Sequence, residues 1–181
     1  MTFFDKILRY ENILPMDIFN KIPLFLNQPR WNLNCSDFKD KNMKIFWGML
    51  LNQEKFFYHE IFNIIKKKTN KNFEISKILA NAQSTLQDGS PHYDSTNTNA
   101  WTFILYVNEK WDYQWGGQTI LFDRYVNDKG SIDVTSELFE TVYPIPNTAI
   151  FFPSNMIHYA MGPSRDFNGI RYSIAYHLIE I

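Results

Sequence analysis

His92 and Asp94 stand two residues apart in the run Pro91-His92-Tyr93-Asp94, and His158 and Arg171 follow far downstream. On an extended strand, side chains at i and i+2 leave the same face. The spacing therefore projects one imidazole and one carboxylate side by side. A second imidazole, delivered by His158 from a distant strand, completes two His and one carboxylate on one side of a metal ion. Three ligands on one face leave the other positions open, an arrangement suited to non-haem Fe(II) with exchangeable ligands. Structural zinc closes four positions, commonly with Cys, and the only cysteine in this chain is Cys35.

An H-x-D triplet alone is a weak signal, because it also arises by chance. Its surroundings strengthen it. Gly89, Ser90 and Pro91 punctuate the chain just before it, as at a loop-to-strand entry. His158 follows the apolar run Ala149-Ile150-Phe151-Phe152, which reads as a buried strand. Arg171 opens the strand-like run Arg171-Tyr172-Ser173-Ile174-Ala175-Tyr176. Of the 4 histidines, His59 reads as an ordinary helical residue and His177, outside the triad spacing, as a structural one.

The elements that must position these groups change character along the chain. Residues 15–27 carry a loosely helical pattern interrupted by Pro23, and Asn52 to Lys68 is the best helix. Lys66-Lys67-Lys68 with Lys71 closes it as a solvated end, since cations favour helix C-termini. After Asn72 short apolar or alternating runs are separated by turn residues. Candidate strands are 74–79, 81–87, 92–95, 100–108, 118–122, 131–135, 141–144, 148–153, 157–161 and 170–179. Helices first and strands afterwards predict an α+β fold, with a helical part over about 1–72 packed on a β core over about 73–181.

The 181 residues make one domain able to bury a real core. A hydrophobic share of 45% and an aromatic share of 17% exclude a disordered chain. With 18 basic and 19 acidic residues, the chain as a whole carries no electrostatic footprint for nucleic acid. A single cysteine excludes an intramolecular disulfide framework and suits a reducing compartment. No secretory h-region opens the sequence, and no apolar run approaches the roughly 18 residues a membrane helix needs. The expectation is a soluble, cytoplasmic protein with no membrane partner.

From Ala80 to Tyr176 the chain resembles the 2-oxoglutarate- and Fe(II)-dependent oxygenases, in their prolyl-4-hydroxylase-like branch. The resemblance is carried by Asn81-Ala82-Gln83-Ser84, Gln87-Asp88-Gly89 and His92-Tyr93-Asp94, then by Leu105-Tyr106-Val107-Asn108 through Trp111 and by Gly116-Gly117-Gln118-Thr119. It continues in Pro144-Ile145-Pro146-Asn147, Phe151-Phe152, His158 and Arg171-Tyr172-Ser173. Asn147 stands where such enzymes usually have glycine; Asn also tolerates the left-handed conformation a tight turn needs.

The resemblance implies a double-stranded β-helix, or jelly-roll, with the metal at its open end. It implies Fe(II) on His92, Asp94 and His158, no catalytic side chain beyond these ligands, and 2-oxoglutarate as cosubstrate, with ascorbate as an optional reductant. Dioxygen and a peptide or small molecule are the other partners. Arg171 suits the far carboxylate, because a guanidinium binds it with two parallel hydrogen bonds. Ser173, two residues on, shares its face, Tyr106 matches a tyrosine used for the same carboxylate, and Thr119 is a further candidate there. Gln83 is a candidate for the metal-bound end of the cosubstrate. Trp111, Tyr113 and Trp115 lie in a mouth segment over 109–117, where they either cover substrate or pack on the rim.

A related halogenating branch has a small residue in place of the carboxylate, so Asp94 points to hydroxylation of an aliphatic carbon, with a prolyl residue as the leading substrate. The alternatives are a free amino acid, a nucleobase or another metabolite, and a catalytically silent metal- or sugar-binding jelly-roll. Arg171 argues against the silent module.

Overall fold

Strand alternation sets the architecture around the cavity. A computed structural model describes residues 2–33 and 44–181; Cys35 lies outside them. The main antiparallel sheet runs in the order β1 (Leu8–Tyr10), β8 (Ala149–Pro153), β5 (Ala100–Tyr106), β10 (Arg171–Glu180), β4 (Phe73–Gln83), β3 (Trp47–Leu50), β2 (Asn32–Leu33). A smaller sheet has the order β7 (Ile132–Val142), β6 (Thr119–Val126), β9 (Met156–Ala160). Ile104, Tyr106, Ile150, Phe152 and Ala175 of the main sheet pack on Leu121 and Met156 of the smaller one. This is the expected jelly-roll.

Helices cover the outer face of the main sheet. They are α1 (Met16–Phe19), α2 (Ile22–Leu26) and α3 (Phe62–Thr69), the last entered through a π-helical segment, Phe56–Ile61. Phe57, Ile61 and Ile65 pack there on Ile78, Ala80, Phe103, Phe151, Ile174 and Tyr176. Their apolar spacing along one side is what buries that side. Asn70, left-handed at φ 53°, ends α3, and the three lysines fill its last turn.

Several expected boundaries shift. The runs 74–79 and 81–87 are one strand ending at Gln83, and 131–135 with 141–144 are one β7. The segment 92–95 is not a strand, only an isolated bridge at His92. Pro23 does not interrupt a helix but sits in the first turn of α2, where its missing N–H costs nothing. The helix expected from Asn52 starts later, because the Leu51 N–H donates to Ile78 and the Asn52 side chain accepts the Ile78 N–H. The region before 72 also holds β1, β2 and β3, short strands whose partners are remote, such as Leu8 with Phe151 and Met49 with Ala80.

Asn147 takes φ 56°, as its place in the turn required. Its carboxamide accepts the Leu14 N–H at 3.0 Å and donates to the Leu14 carbonyl at 2.8 Å, which staples the N-terminal segment to the core.

Candidate metal centre

His92 and His158 are brought together by main-chain pairing. The His92 N–H donates to the His158 carbonyl at 2.9 Å and the His158 N–H to that of His92 at 2.8 Å. Their ring centroids are 4.4 Å apart. Each Nδ1 faces a backbone carbonyl, Ser90 at 2.8 Å from His92 and Met156 at 3.0 Å from His158. A carbonyl only accepts, so these contacts put the proton on Nδ1 and leave Nε2 as the coordinating nitrogen. Each Nε2 is 3.5 Å from the Asp94 carboxylate, His92 at Oδ1 and His158 at Oδ2. One ligand atom from each of the three residues lies within 4.8 Å of the others.

Asp94 is clamped by its own set of partners. Its N–H and that of Ser95 both donate to the Ser154 carbonyl, at 2.8 and 3.2 Å. The buried Thr102 hydroxyl donates to Asp94 Oδ2 at 2.5 Å and lies 2.9 Å from the Ser154 hydroxyl. His177 Nδ1 lies 3.7 Å from the same oxygen. Burial pushes the Asp94 carboxyl up, but the imidazoles of His158, His177 and His92 outweigh it and hold the group well below the usual carboxylate range. Burial pushes His158 down to about 4 against the pull of Asp94, so at neutral pH it is a neutral imidazole. Two imidazoles presenting Nε2 and one carboxylate are the donor set that a divalent transition metal takes, and the residues fit it.

Arg171 closes the other part of the same cavity, which is lined by His92, Asp94, His158, Thr119, Gln83 and Ser173 among others. Arg171 is 1% exposed. Nε donates to the Gly117 carbonyl at 2.7 Å, one Nη to Gln83 Oε1 at 2.9 Å and the other to Thr119 Oγ1 at 3.2 Å. Burial lowers its pKa to about 10, with Tyr106 opposing that shift, so it stays charged. No carboxylate of the described residues pairs with it. A buried cation held only by neutral groups calls for an anionic ligand, and a dicarboxylate reaching from the metal fits. Gly117 makes room for the guanidinium stem: at φ 71° a Cβ there meets Trp111 at 2.8 Å and Arg171 Cδ at 3.2 Å.

The other expected residues divide. Tyr106 is fully buried and donates to Thr119 Oγ1 at 2.9 Å, with Arg171 Cζ 5.7 Å from its ring centroid. Ser173 Oγ lies 3.4 Å from an Arg171 Nη. The Gln83 amide is already engaged, by Arg171 and by the carbonyls of Gln87 and Ala160. Trp111, Tyr113 and Trp115 are not among the cavity-lining residues. Trp111 and Trp115 pack on each other and on Phe167, and Tyr113 on Tyr143.

Sequence reasoning missed Thr102, Ser154 and the place of His177. The signal was alternation. His177 lies three inward steps beyond Arg171, and Thr102 lies two before Tyr106, on strands already recognised.

The comparisons with known proteins agree with this geometry. The family described as the 2OG-Fe(II) oxygenase superfamily matches residues 80–178. No curated protein sequence matches the chain. Among solved structures, the chain is similar to a Pseudomonas putida prolyl-4-hydroxylase, with TM-score 0.69 and 13% identity over 97% of this chain and 93% of that one. A prolyl hydroxylase from Trichoplax adhaerens, in complex with a hypoxia inducible factor oxygen degradation domain peptide fragment, gives 0.69 and 14% over 97% and 84%. The epimerase SnoN, in complex with Fe3+, alpha ketoglutarate and nogalamycin RO, gives 0.67 and 12% over 96% and 78%.

Proposed function

The chain belongs to the 2OG-Fe(II) oxygenase superfamily, whose cofactor and cosubstrate are Fe(II) and 2-oxoglutarate, and we propose that it hydroxylates an aliphatic carbon, with a prolyl residue in a peptide as substrate. The observation that carries the reading is one cavity holding both a His-Asp-His set and a buried Arg171 that pairs with no carboxylate among the described residues. A metal-binding module has no use for the second feature.

His92, Asp94 and His158 hold the iron. When bound, the iron supplies the redox chemistry by which dioxygen and 2-oxoglutarate become succinate, carbon dioxide and a hydroxyl group on the substrate. The chain's own residues do the positioning. Backbone carbonyls at Ser90 and Met156 fix the two imidazoles, and Thr102 fixes the carboxylate. Arg171 anchors the far carboxylate of the cosubstrate, with the hydroxyls of Ser173 and Thr119 beside it. Burial pushes the Tyr106 phenol up to about 12 despite Arg171. It therefore stays protonated and donates rather than repels. Apolar walls from Leu79, Ile104 and Ala175 keep water from the reacting centre.

The prolyl assignment draws on the likeness to two prolyl hydroxylases. Likeness of the same degree to SnoN supports a small-molecule substrate as the second reading. We place the protein in the cytoplasm, where iron is kept reduced; among the described residues no helix is long and apolar enough to cross a membrane. The test is mass spectrometry of a proline-rich peptide panel with Fe(II), 2-oxoglutarate and ascorbate. A 2-oxoglutarate-dependent gain of one oxygen on proline supports the reading. Oxidation of amino acids or nucleosides with no peptide product overturns the prolyl part, and no succinate with any substrate overturns the oxygenase.

A further inference from the structure

We propose that the substrate carries a carboxylate, held by Lys77 and the hydroxyls of Ser76 and Ser95 in a second cavity that meets the metal centre at Asp94. The proposal rests on the oxygenase reading above and names a group that its substrate bears. Asp94 and His177 line both cavities. Arg171, Ser173, Ala175 and His177 are successive inward positions of β10, and six residues of strand set its two ends about 20 Å apart. A cosubstrate reaching from the metal to Arg171 takes the Arg171 end. The second cavity opens at the other end, where His177 Nδ1 lies 3.7 Å from Asp94 Oδ2. That is the side of the centre left to the substrate.

β4 builds this cavity by breaking its own alternation. His177 is opposite Lys77 and Leu178 opposite Ile75, which leaves Ser76 as the extra residue of a β-bulge. A bulge re-aims the side chains beside it, and the consecutive Ser76 and Lys77 both line the cavity. Ser95 joins them from the segment after Asp94. Its Oγ accepts the Asn97 N–H at 3.1 Å, and a hydroxyl that accepts can still donate. An ammonium has three donors, so a ligand shares Lys77 with the contacts it already makes in the chain. Asp94 is the only acidic lining residue among those described, and its charge belongs to the metal. One cation and two hydroxyls match the acceptor oxygens of a carboxylate. Lys77 disfavours a cationic substrate, and a bare hydrocarbon ring leaves the donors unmatched. Ala100, Leu178 and Ile179 line the apolar remainder. The carboxylate has two sources: an acidic side chain next to the target proline, or the free carboxyl of the hydroxylated residue itself.

The test uses the full chain loaded with Mn(II) and 2-oxoglutarate, which fills the centre without turnover. Two matched pairs of probes are compared: acetyl-proline with acetyl-prolinamide, and acetyl-Pro-Glu-amide with acetyl-Pro-Gln-amide. Their binding is read from the relaxation of their protons by Mn(II), in the wild type, Lys77→Met, Lys77→Arg and Ser95→Ala, with thermal melts alongside. Hydrogen bonds to a charged group predict about ten- to a hundredfold tighter binding of the acid than of its amide in at least one pair. The pair that shows it identifies the source. The preference disappears in Lys77→Met, persists in Lys77→Arg and shrinks in Ser95→Ala, which keeps the proposal refutable even where Lys77→Met does not fold. Equal binding within both pairs, no binding of any probe, or a preference untouched by Lys77→Met and Ser95→Ala overturns the proposal. A wild type that binds Mn(II) but no 2-oxoglutarate sinks the oxygenase reading itself, a result distinct from these.

Discussion

β10 presents two chemically different faces. Ile174, Tyr176 and Leu178 point outward into the helix-covered core. Arg171, Ser173, Ala175 and His177 point into the cavity. β4 and β5 repeat the division, with Ile78, Ala80, Phe103 and Leu105 outward and Asn81, Gln83 and Thr102 inward. The outer face is apolar, and its interactions are completed within the chain. The inner face sets polar and ionisable groups among apolar Leu79, Ile104 and Ala175, and among the described residues no carboxylate pairs with its buried cation. A sheet with this division stabilises itself through one face and binds through the other. Substitutions on the two faces should therefore separate stability from binding.

The largest expected effect is on the inner side. Asp94→Ala should abolish turnover and metal binding, as measured by succinate release and by calorimetric titration with Mn(II); full turnover in that variant contradicts the metal assignment. Arg171→Ala comes next. Removing one partner of a buried charge pair costs about 3–5 kcal/mol, so the 2-oxoglutarate concentration for half-saturation should rise at least about a hundredfold. An unchanged value places the cosubstrate elsewhere.

Phe151→Ala is the matching change on the outer face. Phe151 is fully buried, stacked with Trp101 at 4.7 Å and edge-on to Phe73 at 5.6 Å. Its loss should cost about 3–5 kcal/mol of unfolding free energy while the folded fraction keeps its 2-oxoglutarate affinity. A parallel loss of affinity would break the separation of faces. Thr102→Val should have the smallest effect. Removing a hydrogen bond that orients a metal ligand weakens metal binding about ten- to a hundredfold, and Thr102→Ser should restore it. Equal metal affinity in all three proteins would remove Thr102 from the site.

The inner face was the more legible one in sequence, for a physical reason. His92, Asp94, His158 and Arg171 are chemically distinctive types at spacings that alternation projects to one side, so their types and numbers suffice. Even so, the i, i+2 geometry at His92 comes from one bridge and the Ser154 carbonyl rather than from the expected strand. The long apolar runs of β8 and β10 were equally readable. What stayed hidden depends on distant partners. β1 has 3 residues and is a strand only because β8 lies beside it, and the start of the π-helical segment is set by Leu51 bonding to Ile78. Thr102 is an ordinary residue type whose meaning comes from the Asp94 carboxylate that it faces. The types of Trp111 and Trp115 left open whether they cover substrate or pack on the rim, and the contact with Phe167 depends on a residue far along the chain.

The most direct test of one cavity serving both ligands is an anaerobic titration of Fe(II) and 2-oxoglutarate into the wild type, Asp94→Ala and Arg171→Ala, followed by absorbance and calorimetry. One iron and one 2-oxoglutarate per chain are expected, with tight 2-oxoglutarate binding that requires the metal. Iron binding should be lost in Asp94→Ala, and Arg171→Ala should keep iron but lose tight 2-oxoglutarate binding. Binding of 2-oxoglutarate that is indifferent to iron and to Arg171 would contradict it.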